Sequence, residues 1–474
     1  MNLRFRAVIA ILLMIGFYAF ALGIAAIFIG IAWVDIAKGH GVHFRLVAWC
    51  GVVAFLILKS LIPRRDRFEA PGPQLFESTQ PELFGVIRDV ANATKQAMPD
   101  ELYVIPDVNA WVAHRGGSMG VGTRRVMGIG LPLLQAVTRS QFRAIIAHEF
   151  GHYHGGDTAL PPWVYRTREA IGRTIDSLAE HANLIHKPFL WYGKFYMRVT
   201  QAISRAQEIA ADRLAATVAG ARNLAEALAA THRSARAFGA YWRNEVTPVL
   251  SGGYKPPIAS GFREFLETEE IAKALREDVD REMKEGEADV YDSHPPLRER
   301  VCVLRAMPPG KTTPDEPLAI TLLRDVDEIE RGMLAAIDPV LAPTLKDLPW
   351  QDAVTKVFAP NWRERIAEEE KVLRDIVWPD LGTLAAAMPV FAGKLLLVGV
   401  PVNERTQVAT ALVGCALATR LFDAGWACDT APGRPIVFAN GEQRIDPFEV
   451  MPRLMRGELS ADAWREQCRV AGLV

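Results

Sequence analysis

The strongest pattern along the chain lies at its start. Ala7 to Val34 is an uncharged, apolar run of 28 residues. As a helix it would be about 42 Å long, enough to cross a ~30 Å hydrocarbon core with tilt. Asp35 and Lys38 end it. A second run, Leu46 to Leu58, reaches Ile62 if Lys59 snorkels its ammonium to the interface. The expectation is a transmembrane hairpin over residues 1–67, with spans at about 7–34 and 44–62. A cleaved signal peptide competes with it, but the first run is too long for an ordinary signal core and no small-x-small site follows. Arg4 and Arg6 precede the first span, and Lys59, Arg64, Arg65 and Arg67 follow the second. The loop between holds only Lys38 and Arg45. By the positive-inside rule both ends of the hairpin, and all that follows, face the cytoplasm. If only the first run spans, the rest lies outside.

Beyond Glu69-Ala-Pro-Gly-Pro73, a linker by composition, the periods shorten. Leu83 to Ala97 has helical spacing. Glu101 to Ile105, Asn109 to Ala113 and Arg124 to Ile129 read as short strands, with glycine-rich turn material at 116–122. Ser140 to Gly151 reads as a helix with Ser140 as N-cap. Arg166 to His181, Phe195 to Ala219 and Ala221 to Phe238 are helical in pattern. Ser251 to Gly261 is a loop, and Phe262 to Lys284 one charged helix with a solvated face. Pro308 to Pro317 marks a boundary. Charged helices follow at Arg324 to Leu334 and Trp362 to Ile376, then a strand-like run at Lys394 to Val400 and a helix over Val408 to Phe422. Ile436 to Phe438, Pro447 to Met455 and Ala461 to Val470 suggest a small strand–turn–helix module, with Asn440-Gly441 a tight hairpin signal. The organisation expected is a hairpin (1–67), a catalytic domain (68–310), a helical connector (311–385) and a small C-terminal α/β module (386–474) of regulatory or partner-binding role.

Composition narrows the function classes. Among 474 residues, 54 basic side chains balance 55 acidic ones, for a formal charge of -1. A nucleic-acid binder would carry a basic excess, so none is expected as a partner. A hydrophobic fraction of 50% excludes a chain disordered throughout. The five cysteines form no CxxC pair, so neither a disulfide scaffold nor a thiolate zinc site is indicated.

The chemistry-bearing segment is Ala147-His148-Glu149-Phe150-Gly151-His152. Positions i and i+4 of a helix share a face, so His148 and His152 can bind one zinc ion together. Glu149 lies beside them, within reach of a water on the metal. A third ligand is needed. Glu208 and Asp212, one turn apart on a later helix, offer it: Glu208 to the metal, Asp212 to the far nitrogen of a ligand histidine, fixing its tautomer. His154 points off that face. His181, His186 and His232 have no partners at metal spacing, and Gly393-Lys394 lacks the rest of a phosphate loop.

These motifs give the chain a resemblance to the HtpX-like and CAAX-prenyl-protease type of membrane zinc endopeptidases, within the gluzincins. Asn109-Ala110-Trp111 is similar to that family's edge-strand motif. His148 to His152 is followed by Asp157 in a Gly-Asp-Thr context, Ser204 to Asp212 matches the third-ligand helix, and Ser293-His294-Pro295-Pro296-Leu297 with Arg300 matches its closing motif. The matches run in order over roughly residues 75–306. The resemblance implies an α+β, mostly helical zincin domain with a small sheet, one Zn2+ per chain on His148, His152 and Glu208, and Glu149 as general base. It implies His294 as a second donor to the oxygen of the tetrahedral intermediate, Arg300 paired to the third-ligand helix, and Asp157 in support. Substrate would lie extended along Asn109, Ala110 and Trp111. The implied protein sits in a bacterial inner membrane, its catalytic domain cytoplasmic, and takes peptides or membrane proteins in quality control or processing. HtpX-like members carry two further spanning helices between the second histidine and the glutamate. Here Thr158 to Ile203 is charged throughout, so no span is expected, and Pro188 to Val199 is either interfacial or aromatic core. The alternative function is a non-catalytic membrane adaptor on a zincin scaffold, whose C-terminal region binds the partner. A latent protease switched on by that tail is a third.

Overall fold

A computed structural model describes residues 3–38, 43–62, 68–116, 123–153, 162–181, 185–285, 295–311, 313–397 and 399–473. By contacts the chain divides into two compact units, residues 1–233 with 276–325, and residues 234–275 with 326–474. Residues 234–275, grouped by sequence with the preceding domain, thus pack with the C-terminal residues.

The first unit opens with α1 (Leu3–Ala37) and the shorter α2 (Phe44–Leu61), antiparallel and in contact. Both are long and apolar enough to cross a membrane. Small residues, Ala21, Ala25 and Ala54 among them, are buried on these helices, while Leu12, Ile27, Trp33 and Phe55 point outward and exposed. Helix α3 (Pro81–Thr94) and a four-stranded sheet follow. The sheet holds β1 (Gln74–Leu75), β2 (Glu101–Ile105), β3 (Ala110–Arg115) and β4 (Arg124–Gly130) in the order β1-β2-β4-β3. Pairing of β2 with β4 is parallel, and of β3 with β4 antiparallel, so β3 is an edge among the described residues.

After α4 (Leu131–Ala136) comes α5 (Arg139–Gly151). Its N-cap is Thr138 rather than Ser140, because Thr138 and Gln141 form a reciprocal capping box. Ser140 instead gives its N–H and hydroxyl to the carboxylate of Glu316. Helices α6 (Pro162–His181) and α7 (His186–Ala219) form a pair, and α8 (Ala221–Tyr241) follows. Neither α6 nor α7 passes as an apolar span. Both nevertheless pack on α1 and α2: Ala170, Ile171, Leu178, Phe189, Tyr196 and Ile203 join one core with Ala10, Phe17 and Ile57. The periodic apolar face, rather than average hydropathy, places them there.

The second unit is built around the helix Arg405–Asp423, whose Ala409, Leu412, Val413 and Leu417 meet Trp362, Leu381, Phe438 and Trp464 in a single core. Of three short antiparallel strands, the last two, Val437–Asn440 and Gln443–Ile445, are joined by a two-residue turn of Gly441 and Glu442. The hairpin stands where the Asn-Gly signal expects one, but Asn440 stays in the strand, paired to Gln443, and Gly441, at φ 62°, takes the first turn position. Lys394 to Val400 forms no strand among its described residues: Leu395 and Leu397 are buried, but in irregular structure. The single helix expected over 262–284 is two, Ile258–Glu267 and Glu269–Glu285, broken where Thr268 turns extended and its hydroxyl bonds the Glu264 and Pro432 carbonyls.

Candidate metal centre

The centre forms where α5 and α7 cross. A Cβ on Gly151 would meet the Cα of Ala211 at 2.9 Å, so only glycine lets the two backbones come this close. That approach brings His148 and His152, one turn apart on α5, against Glu208 and Asp212, one turn apart on α7. Nε2 of His148 lies 3.2 Å from Nε2 of His152 and 3.4 Å from Oε2 of Glu208. Nε2 of His152 lies 3.7 Å from the other Glu208 oxygen.

All three ligand atoms fall within 4.8 Å of one another. Tetrahedral zinc with bonds of ~2.1 Å separates its ligand atoms by about 3.4 Å. Two imidazole nitrogens and a carboxylate at these spacings therefore fit a divalent ion of that size. His148 and Glu208 are buried and His152 is part-exposed, which leaves one side open.

Behind the donors stands a second layer. Nδ1 of His148 bonds Oδ1 of Asp212 at 2.9 Å, so its Nε2 faces Glu208 and His152. Asp212, fully buried, accepts two bonds from Arg300, Nε at 2.9 Å and Nη2 at 2.6 Å. Arg300 is on the helix Leu297–Arg305 and also lies 3.7 Å from Glu208. Burial pushes the His148 imidazole down, yet Asp212 and Glu208 outweigh it and hold it at about 9. Burial likewise raises Asp212, and Arg300 and His148 overcome it, leaving the carboxyl below its usual range.

The remaining expected residues divide. Glu149 sits half-buried on α5 beside His148. Asn109 is exposed before β3, Ala110 is buried, and Trp111 lies flat over Gly128 of the neighbouring strand. The Gly130 N–H donates to the Asn109 carbonyl, so Ala110, Val112 and His114 turn their backbone groups to the side away from β4, where the Ala110 N–H donates to Asn109 Oδ1 and the Val112 carbonyl accepts from Tyr153. His294, Asp157 and His154 lie outside the described residues.

Two contributors carry no signal in the sequence pattern. Tyr153, next to His152, donates its hydroxyl to the Val112 carbonyl at 2.6 Å and ties α5 to the edge strand. Arg125, buried on β4, lies 5.1 Å from the Phe150 ring and 4.6 Å from the Tyr153 ring, and donates to the Ala97 carbonyl. Both depend on long-range contacts that spacing does not encode. For Gly151, a glycine inside a helical pattern was the available signal.

Residues 77–308 match the model of Peptidase family M48. The match supports the M48 metallopeptidase family for this part of the chain and indicates a metal-dependent peptidase, a hydrolase, with the three clustered ligands as a possible metal site. No curated protein and no solved structure matches the chain.

Proposed function

We propose that the chain is an HtpX-like, membrane-anchored zinc endopeptidase that cleaves membrane or misfolded proteins on the cytoplasmic side of a bacterial inner membrane. The observation that carries this reading is the convergence of His148, His152 and Glu208 from two helices at zinc-ligand spacing, backed by Asp212. A zinc ion there would polarise a water molecule and the scissile carbonyl.

The chain's own residues do the rest. Asp212 holds the His148 ring in the tautomer that turns Nε2 to the ion. Arg300 holds Asp212 and keeps its carboxylate ionised. Glu149 takes the proton of the attacking water and passes it to the departing amine. Substrate lies extended on the open side of β3, where backbone pairing recognises any sequence able to lie flat. His294 is assigned as the donor to the carbonyl oxygen in the transition state.

Glu149→Gln tests the assignment in the purified full chain. The variant should keep about one zinc per chain while cleavage of a casein-type substrate falls ~10²–10⁴-fold. Unchanged cleavage would remove Glu149 from the mechanism, and chelator-resistant cleavage would remove the metal.

A further inference from the structure

Helix α7 carries two unlike faces along its first half. Phe189, Tyr196, Thr200 and Ile203 are buried. Lys187, Trp191, Lys194, Phe195 and Arg198 recur at i, i+4, i+7, i+8 and i+11, and every one is exposed. Trp191 is 71% exposed and Phe195 45%, and their rings stack at 6.4 Å. The sequence holds no acidic residue between Glu180 and Glu208.

The level of this face relative to the first two helices is fixed by contacts. Phe28 of α1 meets Trp49 of α2 with ring centroids 5.6 Å apart. Counting along the antiparallel pair from there, the end of α2 at Leu61 falls level with Gly16. An 18-residue helix is about 27 Å long, close to the whole hydrocarbon thickness, so the end of α2 marks the edge of the core. Helix α7 touches α1 at that level. The Tyr192 hydroxyl bonds the Leu13 carbonyl at 2.6 Å and would meet a Cβ on Gly16 at 2.7 Å, and Phe189 packs on Phe17 and Phe20. On the α2 side, Ser60 bonds Thr174 of α6 at 2.7 Å.

From this we infer that the exposed Lys187–Arg198 face of α7 rests in the headgroup layer of the bilayer beside the two apolar helices. The inference rests on the membrane reading proposed above. Aromatic rings with one apolar body settle at the membrane–water boundary, and lysine and arginine reach from there to lipid phosphates. The buried half of the aromatic set packs as protein core, and the exposed half meets lipid. The charges explain why the pair does not cross: Lys187, Lys194 and Arg198 would all be drawn into hydrocarbon.

The test is one of depth, in the full chain reconstituted in vesicles of neutral and anionic phospholipid. In a Cys302→Ser/Cys428→Ser background, Trp191→Cys and Phe195→Cys carry an environment-sensitive fluorophore. Val52→Cys serves as a mid-span marker and Arg213→Cys as a water-exposed one. At 191 and 195, lipids spin-labelled near the headgroup should quench at least twofold more than lipids labelled deep in the chain, and aqueous iodide should quench less than at 213. Quenching by iodide alone would overturn the inference in favour of a solvated helix. Stronger quenching by the deep label would replace it with a true span, and protection from both quenchers would place a protein partner there. If Val52 is reached by neither lipid label, the membrane reading itself fails, and the lipid contact with it. Quenching is read without any peptidase turnover, so loss of activity in a labelled variant does not alter the depth it reports.

Discussion

Each unit of the molecule buries ionisable groups, and they are used differently. In the first unit His148, Glu208, Asp212 and Arg300 face one another, and one atom from each of two imidazoles and a carboxylate falls within 4.8 Å of the others. In the second, Lys255 and Glu330 are buried to a similar degree, yet Glu330 spends its oxygens on the backbone N–H groups of Ile258 and Ala259 at a helix start, and on Lys255. A charge cluster that satisfies its own backbone is part of the scaffold. One whose ligand atoms converge is a site. The contrast locates the chemistry without any appeal to motif, and it falls within the M48-matching residues.

Removing a ligand should separate the two most. His152→Ala is expected to lose the bound zinc and cut cleavage at least ~10³-fold, measured by metal analysis and peptide turnover, since a general acid–base group cannot act without its activated water. Lys255→Met should leave both readouts unaltered.

Charge removal behind each cluster comes next. Arg300→Leu strands the fully buried Asp212 and should cost about 3–5 kcal/mol in denaturant unfolding. Lys255→Leu leaves Glu330 with its two backbone donors and should cost about 1–3 kcal/mol. Equal losses would erase the distinction between the two clusters.

Asp212→Asn keeps the shape but weakens the acceptor for His148. Zinc affinity should fall ~10–100-fold in competition with a chelator, with folding retained.

The smallest effect is a pH dependence in the second unit. Burial raises the Glu330 carboxyl above its ordinary value, against the pull of the Ala259 N–H and Lys255. The folded state then holds that proton more tightly than the unfolded state. The stability Glu330 adds is complete below its unfolded value near 4.5 and is lost as pH rises through the folded one. The stability gap between the wild type and Glu330→Gln should therefore shrink from pH 4 upward, read as the difference in unfolding midpoints. A gap that widens with pH would reverse the sign.

Much of the site was legible because helical spacing is local. His148 and His152 declare their shared face in five residues, and Glu208 and Asp212 do so again. That the two pairs meet is long-range, and it hinges on Gly151 and Ala211, small residues whose purpose no period reveals. The edge strand was legible as alternation, but the Tyr153 bond to Val112 was not. The α6–α7 pair was hardest. Its charges lower the average hydropathy while its buried face, Leu178, Phe189 and Tyr196, still seeks the apolar helices, so an average points one way and a face the other. The N-cap went to Thr138 because a reciprocal pair outcompetes a lone serine two residues on. The break at Thr268, and the lack of a strand among the described residues of 394–400, where the Leu396 N–H goes to the Glu369 carboxylate, come from tertiary contacts that override local preference.

Helix α7 is one continuous rod from His186 to Ala219. If Trp191 marks the lipid surface, Glu208 can stand no more than about 25 Å above it, at ~1.5 Å per residue. A client strand emerging from the bilayer climbs that height in roughly eight extended residues. The rod would then act as a yardstick, admitting loops and frayed tails of that reach and sparing proteins whose short connections hug the surface.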